Sequence, residues 1–200
     1  MYIRELTGYK TNQHYQQAQD TFKGDLNNTD KRIGSLVNFQ KYLMKNGFTP
    51  EGSGQGGAAF THPTYPWVFK IFTHDPAYLD FFKYAKQHQN NPAIPKLKGN
   101  IIKINDNTFV VRMEKLEKIY DKQNLKVIKF FRNISDLEEW TQAEKLYPTM
   151  FDEIKQNYPN FYQVIYDMIH NYPHYVLDMH TGNAMTRVSD GTLVVTDPIV

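Results

Sequence analysis

Asp178, Asn183 and Asp197 are the residues of this chain whose types and spacing could do chemistry. The first two stand five apart in Asp178-Met179-His180-Thr181-Gly182-Asn183, and the third closes Thr196-Asp197 before Pro198. A carboxylate, an amide and a second carboxylate are the polar groups that phosphoryl transfer uses. One carboxylate orients the attacking hydroxyl, while the amide and the other carboxylate hold magnesium on a triphosphate. Taken alone, Asp178 and His180 also fit a helix cap and a satisfied polar side chain. His170, His174 and His180 match no zinc spacing, and the chain has no cysteine.

A nucleotide site needs a second set of groups, for which the first half of the chain has candidates. Gly52-Ser53-Gly54-Gln55-Gly56-Gly57 satisfies G-x-G-x-x-G and leads into extended sequence at Ala58-Ala59-Phe60. No strand–loop–helix unit follows, which excludes a Rossmann reading, and no Gly-Lys-Ser/Thr follows, which excludes a Walker loop. What remains is a flexible surface turn or a glycine-rich hairpin with backbone N–H groups against phosphates. Lys70 interrupts the apolar run Val68–Phe72. It is either an edge-strand lysine that snorkels to water or the strand lysine that grips the α- and β-phosphates. Val110–Leu116 reads as a buried strand entering a connector or, viewed by itself, as an ordinary strand end. In a kinase, backbone groups of that connector, here at Glu114 and Leu116, meet the adenine edge.

The elements that must position these groups follow from periodicity. Residues 1 to 28 are polar and read as loosely packed or as a peripheral helix. From Asp30, the residues Ile33, Leu36, Val37, Tyr42 and Leu43 fall near helical spacing, with Gly47 as the stop. Asp75-Pro76 opens a helix to about Gln89 with Tyr78, Phe81, Phe82 and Ala85 on one side. Strands are expected near Ile101–Ile104 and Phe109–Met113, around the turn Asn105-Asp106-Asn107. Ser135 with Glu138 predicts a capping box for a helix toward Leu146. Pro159 opens another, striped by Phe161, Val164, Ile165, Met168 and Ile169 and ending near Tyr172-Pro173. Met185–Val188 and Leu193–Thr196 flank Ser189-Asp190-Gly191 as a hairpin. The order predicts an α+β, protein-kinase-like two-lobe fold with a strand-rich N-lobe and a reduced, truncated C-lobe. Its expected parts are an N-terminal helical extension over 1–48, the N-lobe over 49–117 and a minimal C-lobe over 118–200.

Composition narrows the class. Two hundred residues at 40% hydrophobic content suffice for a packed core. A net charge of +2 with mixed signs offers no basic stripe for nucleic acid. The absence of cysteine removes disulfides and thiolate chemistry and fits a reducing cytoplasm. No segment approaches the ~18 apolar residues of a membrane span, and Met1–Glu5 has no signal core, so a cytoplasmic protein without a membrane partner is expected.

The chain resembles the early serine/threonine protein kinases of short-tailed lytic bacteriophages. The similarity is carried by Gly52–Pro63, Pro92-Ala93-Ile94-Pro95, Asp178–Asn183 and Val195-Thr196-Asp197-Pro198, and covers about residue 50 onward. Residues 1–48 and the stretch from Lys118 to Pro159 show no clear counterpart. The resemblance implies phosphorylation of Ser or Thr in host bacterial proteins, with ATP and Mg2+, during takeover of the cell, often with autophosphorylation. It makes Asp178 the catalytic base, Asn183 and Asp197 the magnesium ligands, and Lys70 the phosphate-binding lysine. Leu177 stands where many regulated kinases have arginine, which argues against control by a phosphorylated activation loop. Asp197-Pro198-Ile199 replaces D-F-G, and Asp80 is the nearest candidate partner for Lys70. Only three residues follow Asp197 in this sequence, so the expectation is a naturally minimal member, a truncated chain, or one completed by a homodimer or another partner.

Two other functions fit parts of the pattern. D-x-H-x-G-N also resembles aminoglycoside and choline phosphotransferases, whose substrates are small molecules. A catalytically weak or inactive kinase-shaped module could instead bind and inhibit a host or defence protein. Retention of Lys70, Asp178, Asn183 and Asp197 together argues for catalysis.

Overall fold

The computed structural model describes residues 37, 40, 41, 43–45, 47–53, 57–73 and 75–200. The polar start of the chain, Ile33, Leu36 and Tyr42, and the glycine-run residues Gly54, Gln55 and Gly56 lie outside the described residues. Val37, Gln40, Lys41 and Leu43–Lys45 are helical, and Gly47 ends that segment at φ 86°. A φ of this sign favours glycine, so the expected stop has a physical basis.

The chain divides into two compact units, Met1–Asp75 with Lys96–Lys115, and Pro76–Pro95 with Leu116–Val200. The first contains a five-stranded antiparallel sheet. Its strands are β1 (Thr49–Ser53), β2 (Gly57–His62), β3 (Tyr65–Thr73), β4 (Ile102–Asn105) and β5 (Thr108–Glu114), in the spatial order β1-β2-β3-β5-β4. Side chains alternate across a pleated strand, so one face of the sheet is apolar. Ala58, Phe60, Phe69, Ile71 and Val110 form its core with Leu43 and Phe48. Phe48 meets Phe69 edge-on at 5.3 Å between ring centroids, and Tyr65 stacks on Phe69 at 5.5 Å.

The second unit begins with α1 (Pro76–Gln87), which buries Tyr78, Phe81, Phe82 and Ala85 as the periodicity predicts. Sequence order places this helix in the strand-rich part, yet it groups with residues 116–200. Tyr84 Oη donates to Asp167 Oδ2 at 2.6 Å, and Tyr175 Oη donates to Asp80 Oδ2 at 3.0 Å. Four further helices follow: α2 (Lys122–Phe131), α3 (Leu137–Leu146), α4 (Pro148–Asn157) and α5 (Pro159–Asn171). The expected stripe of α5 is wholly buried. It packs in a cluster where Phe131 stacks on Trp140 at 5.6 Å and Trp140 meets Phe151 edge-on at 5.1 Å. Strands β6 (Leu116–Glu117), β7 (Ala184–Arg187) and β8 (Leu193–Val195) make a three-stranded antiparallel sheet.

The cap of α3 differs from the expected Ser135–Glu138 box by one residue. Asp136 is the N-cap and accepts from Glu139 N at 2.8 Å. Glu139 Oε2 in turn accepts from Ser135 N and Oγ, both at 2.7 Å. Trp140, in the first turns of this helix, is 1% exposed.

Candidate active site

Asp178 and Asn183 are joined directly. Asn183 Nδ2 donates to the Asp178 main-chain oxygen at 2.7 Å and to Asp178 Oδ2 at 2.9 Å. Asn183 is 8% exposed, whereas 42% of the Asp178 side chain is open to solvent. With Nδ2 turned to Asp178, the amide oxygen Oδ1 is the group left for a cation. Main-chain bonds then bring in Asp197: Asn183 O accepts from Thr196 N at 2.9 Å and from Asp197 N at 3.3 Å. Asp178 N donates to Pro198 O at 2.8 Å, so the residue after Asp197 holds the residue that starts the loop. Sequence-distant Asp178, Asn183 and Asp197 therefore share one backbone frame.

The turn between them depends on His180 and Gly182, to which the sequence pattern assigned no firm role. Gly182 N donates to His180 Nδ1 at 2.9 Å. That bond makes Nδ1 the acceptor and leaves the proton on Nε2, which lies 3.5 Å from Asp178 Oδ2. A Cβ at position 182 would stand 2.7 Å from His180 Cε1, so glycine permits the close approach. A glycine between a histidine and an asparagine was the available signal. The hairpin carrying Asn183's neighbours is tied elsewhere too: Arg187 donates to Pro92 O at 2.8 Å and Ile94 O at 3.2 Å, and Val195 N donates to Ala93 O at 2.9 Å.

In the sheet unit, Gly52 and Ser53 end β1 and Gly57 begins β2, an antiparallel pair. Gly57 lies opposite Phe72, and a Cβ there would stand 2.3 Å from Ile71 O, so a side chain would collide with the neighbouring strand's backbone. Lys70 sits opposite Ala59 on one side and Val111 on the other. It is thus on a central strand, and the edge-strand reading does not hold. Strand alternation sets it on the face opposite Phe69 and Ile71.

The connector residues have backbone partners. Glu114 N donates to Lys96 O at 2.9 Å, and Glu114 Oε1 accepts from Lys96 N at 2.8 Å. Leu116 lies opposite Arg187 in the β6–β7 pair. Asp80, the candidate partner of Lys70, accepts from Lys83 Nζ at 2.7 Å and from Tyr175. Burial raises its pKa, but those two hydrogen bonds together with the charges of Lys83 and His174 outweigh that and hold the carboxyl below its ordinary range.

Asn183 Oδ1 and the Asp197 carboxylate are hard oxygen donors. Two such groups fit magnesium, which keeps waters and is commonly shared with substrate phosphates. Among the described residues no group of three His, Cys, Asp or Glu side chains is placed to hold a metal. No helix among them is long and apolar enough to cross a membrane.

The mixed α/β chain carries a kinase-like catalytic module. A family model described as Bacteriophage T7 protein kinase 0.7 matches residues 9–200, and the chain belongs to that family. The match extends upstream of residue 50 and spans 118–159, both beyond the resemblance legible in short motifs. No curated protein matches the chain.

Proposed function

We propose that this chain transfers the γ-phosphoryl group of ATP to serine or threonine hydroxyls of host bacterial proteins, and to itself, in a magnesium-dependent reaction. The observation that carries the reading is Asn183 Nδ2 donating to the main-chain oxygen and to Oδ2 of Asp178 while the Asn183 main-chain carbonyl accepts from Thr196 N and Asp197 N. In this reading the five-stranded unit is the phosphate-gripping lobe, with Lys70 and the glycine hairpin, and the helical unit is the catalytic lobe. Asp178 accepts the hydrogen bond of the attacking hydroxyl and takes its proton as the new O–P bond forms and the bond to the leaving diphosphate breaks. Asn183 fixes the carboxylate that does this, and His180 Nε2 adds a second N–H toward it. Asn183 Oδ1 and Asp197 would hold magnesium, which when bound neutralises charge on the phosphates.

The test is transfer from radiolabelled ATP to bacterial lysate and to the chain itself. Asp178→Asn should remove transfer, by at least about a hundredfold for loss of a general base, while ATP still raises the melting temperature when magnesium is present. Equal labelling by Asp178→Asn and the unaltered chain would overturn the reading, and host-takeover activity that survives in Asp178→Asn would favour an inhibitory binding module. Labelling of free hydroxylated small molecules but no protein would favour the small-molecule alternative.

A further inference from the structure

The net charge of +2 is unevenly spread along the chain. From Lys118 to Arg132 stand five basic residues and one acid, Asp121, so the rest of the chain holds 18 bases against 20 acids. The basic stretch begins where β6 ends and runs through α2. That helix buries Asn124, Val127, Ile128 and Phe131. Lys122, Lys126 and Lys129 fall on the opposite side, at i, i+4 and i+7, and all three are exposed, as are Lys118 and Arg132.

Helix stability accounts for part of this charge. Lys129 and Arg132 lie at the C-terminal end of α2, where the macrodipole favours cations, and Lys126 is bonded to Glu153 of α4 at 3.1 Å. Lys122 is different. It is the first residue of the helix, where the dipole disfavours a cation, and no acid stands in the first turn. The Asp121 cap offsets it only in part, because Asp121 Oδ1 is engaged by Gln123 N and Asn124 N, both at 2.9 Å. Among the described residues, Lys118, Lys122 and Lys129 have no ion-pair partner. Between Lys118 and Lys122 stands Tyr120, 78% exposed, the most open of the large hydrophobic side chains among the described residues. Folding gains little from a tyrosine left in water, whereas tyrosine is enriched among the residues that anchor protein partners.

This face begins beside the strand that follows Asn183. Leu116 and Glu117 pair with Arg187 and Thr186 of β7, and Thr186 Oγ1 donates to Glu117 O at 3.3 Å and Lys118 O at 3.4 Å. Thr186 is three residues past Asn183, about 10 Å along an extended strand. We propose that the face of Lys118, Tyr120, Lys122 and Lys129 binds an acidic segment of the protein substrate, a step that rests on the phosphoryl-transfer reading of the site. An extended polypeptide covers the first 10 Å or so in about three residues, and Lys122 to Lys129 spans roughly 10 Å more of helix. The carboxylates it recognises therefore stand about three to six residues from the hydroxyl that is phosphorylated. Asp121 and Glu153 interrupt the cations. A polypeptide can place neutral residues against them, whereas a nucleic-acid backbone carries its charge without a break.

Phosphorylation by the full chain of two peptides with a central serine tests this, one with glutamate and one with glutamine at the third to sixth residues on either side. The glutamate peptide should have the lower KM and a kcat/KM higher by about tenfold, since each exposed ion pair contributes about 1.5- to fivefold and three cations take part. The triple variant Lys118→Ala, Lys122→Ala, Lys129→Ala alters exposed positions only. It should abolish the preference while the KM for ATP and the rate on the glutamine peptide stay unchanged. Tyr120→Ala should raise the KM of the glutamate peptide about fivefold or more. Equal kcat/KM for the two peptides, or a preference that survives in the triple variant, would overturn the proposal. So would tighter binding of a single-stranded oligonucleotide than of the glutamate peptide at equal salt. Fluorescence anisotropy of labelled peptides separates the surface from the chemistry. Preferential binding of the glutamate peptide with no transfer to any substrate would refute the phosphoryl-transfer reading and uphold the acidic partner. Transfer without preference in rate or binding would refute the surface alone.

Discussion

Replacing Asn183 with alanine isolates what holds the proposed catalytic carboxylate. The substitution leaves the main-chain bonds of residue 183 to His180, Thr196 and Asp197 in place and deletes two side-chain bonds to Asp178. The bond to the Asp178 main-chain oxygen, at 2.7 Å, joins neutral groups and contributes about 1 kcal/mol. The bond to Oδ2 is charge-assisted, which would give about 1.5–3 kcal/mol if buried. The Asp178 side chain is 42% exposed, so solvent screening cuts that to about 1 kcal/mol. Loss of a buried carboxamide adds a small cavity term. The sum is a destabilisation of about 2–3 kcal/mol, or a melting temperature lower by about 4–12 °C for a chain of this length.

Urea unfolding at neutral pH measures the total, and a double-mutant cycle with Asp178→Ala isolates the carboxylate bond. Coupling of about 1 kcal/mol is expected, because the two side chains touch. A loss under about 0.5 kcal/mol together with no coupling would refute the claim that Asn183 fixes Asp178.

Three further outcomes follow from local geometry. Gly57→Ala forces a Cβ against Ile71 O and should cost about 1–3 kcal/mol by overpacking, whereas Gly52→Ala, with nothing within 4 Å, should leave the melting temperature within about a degree; equal effects would contradict the strand register. Asp136→Ala should cost about 1 kcal/mol through loss of the α3 cap, and more than Ser135→Ala, as judged by denaturant midpoints; the opposite ranking would restore the Ser135 cap. Burial, a hydrogen bond to Asp167 and the charges of Asp167 and Tyr172 push the Tyr84 phenol above its ordinary range. The folded state therefore binds that proton more tightly than the unfolded chain. Its stabilisation is complete below about pH 10 and is lost as pH rises beyond it, so Tyr84→Phe should flatten the alkaline decline in thermal stability, and an unchanged slope would remove Tyr84 as its cause.

The elements with strong periodicity were legible because burial selected their residues. The α5 stripe and the aromatic face of α1 are fully internal, and the apolar runs around Lys70 and Val110 are largely buried strands, as expected. α2 and α4 were not predicted. The first begins with the polar run Lys122-Gln123-Asn124, and the second buries only Phe151 and Ile154, too few for a periodic signal. β1, with sequence Thr-Pro-Glu-Gly-Ser, has no strand pattern of its own and forms by pairing with β2. The three polar side chains of the candidate site could be read from type and spacing. Lys70's central position could not, because it depends on β5, a strand far along the chain.

What type and spacing do not carry is the backbone that holds the site. Where D-F-G kinases have phenylalanine, whose packing sets active and inactive states, this chain has Pro198. Proline has no N–H, but its carbonyl accepts from Asp178 N. Ile199 is 2% exposed and bridges Leu177 antiparallel, while Val176 and Val200 exchange two main-chain bonds, at 3.0 and 2.9 Å. Asp197 thus lies between Asn183, which holds its N–H, and a ladder that fixes the three residues after it to the three that end at Asp178. Swinging Asp197 away would break several of these bonds together, each contributing about 1 kcal/mol. With leucine rather than arginine before Asp178, the residue that reads a phosphorylated loop in regulated kinases is missing as well. Both features favour a site whose geometry is set by folding.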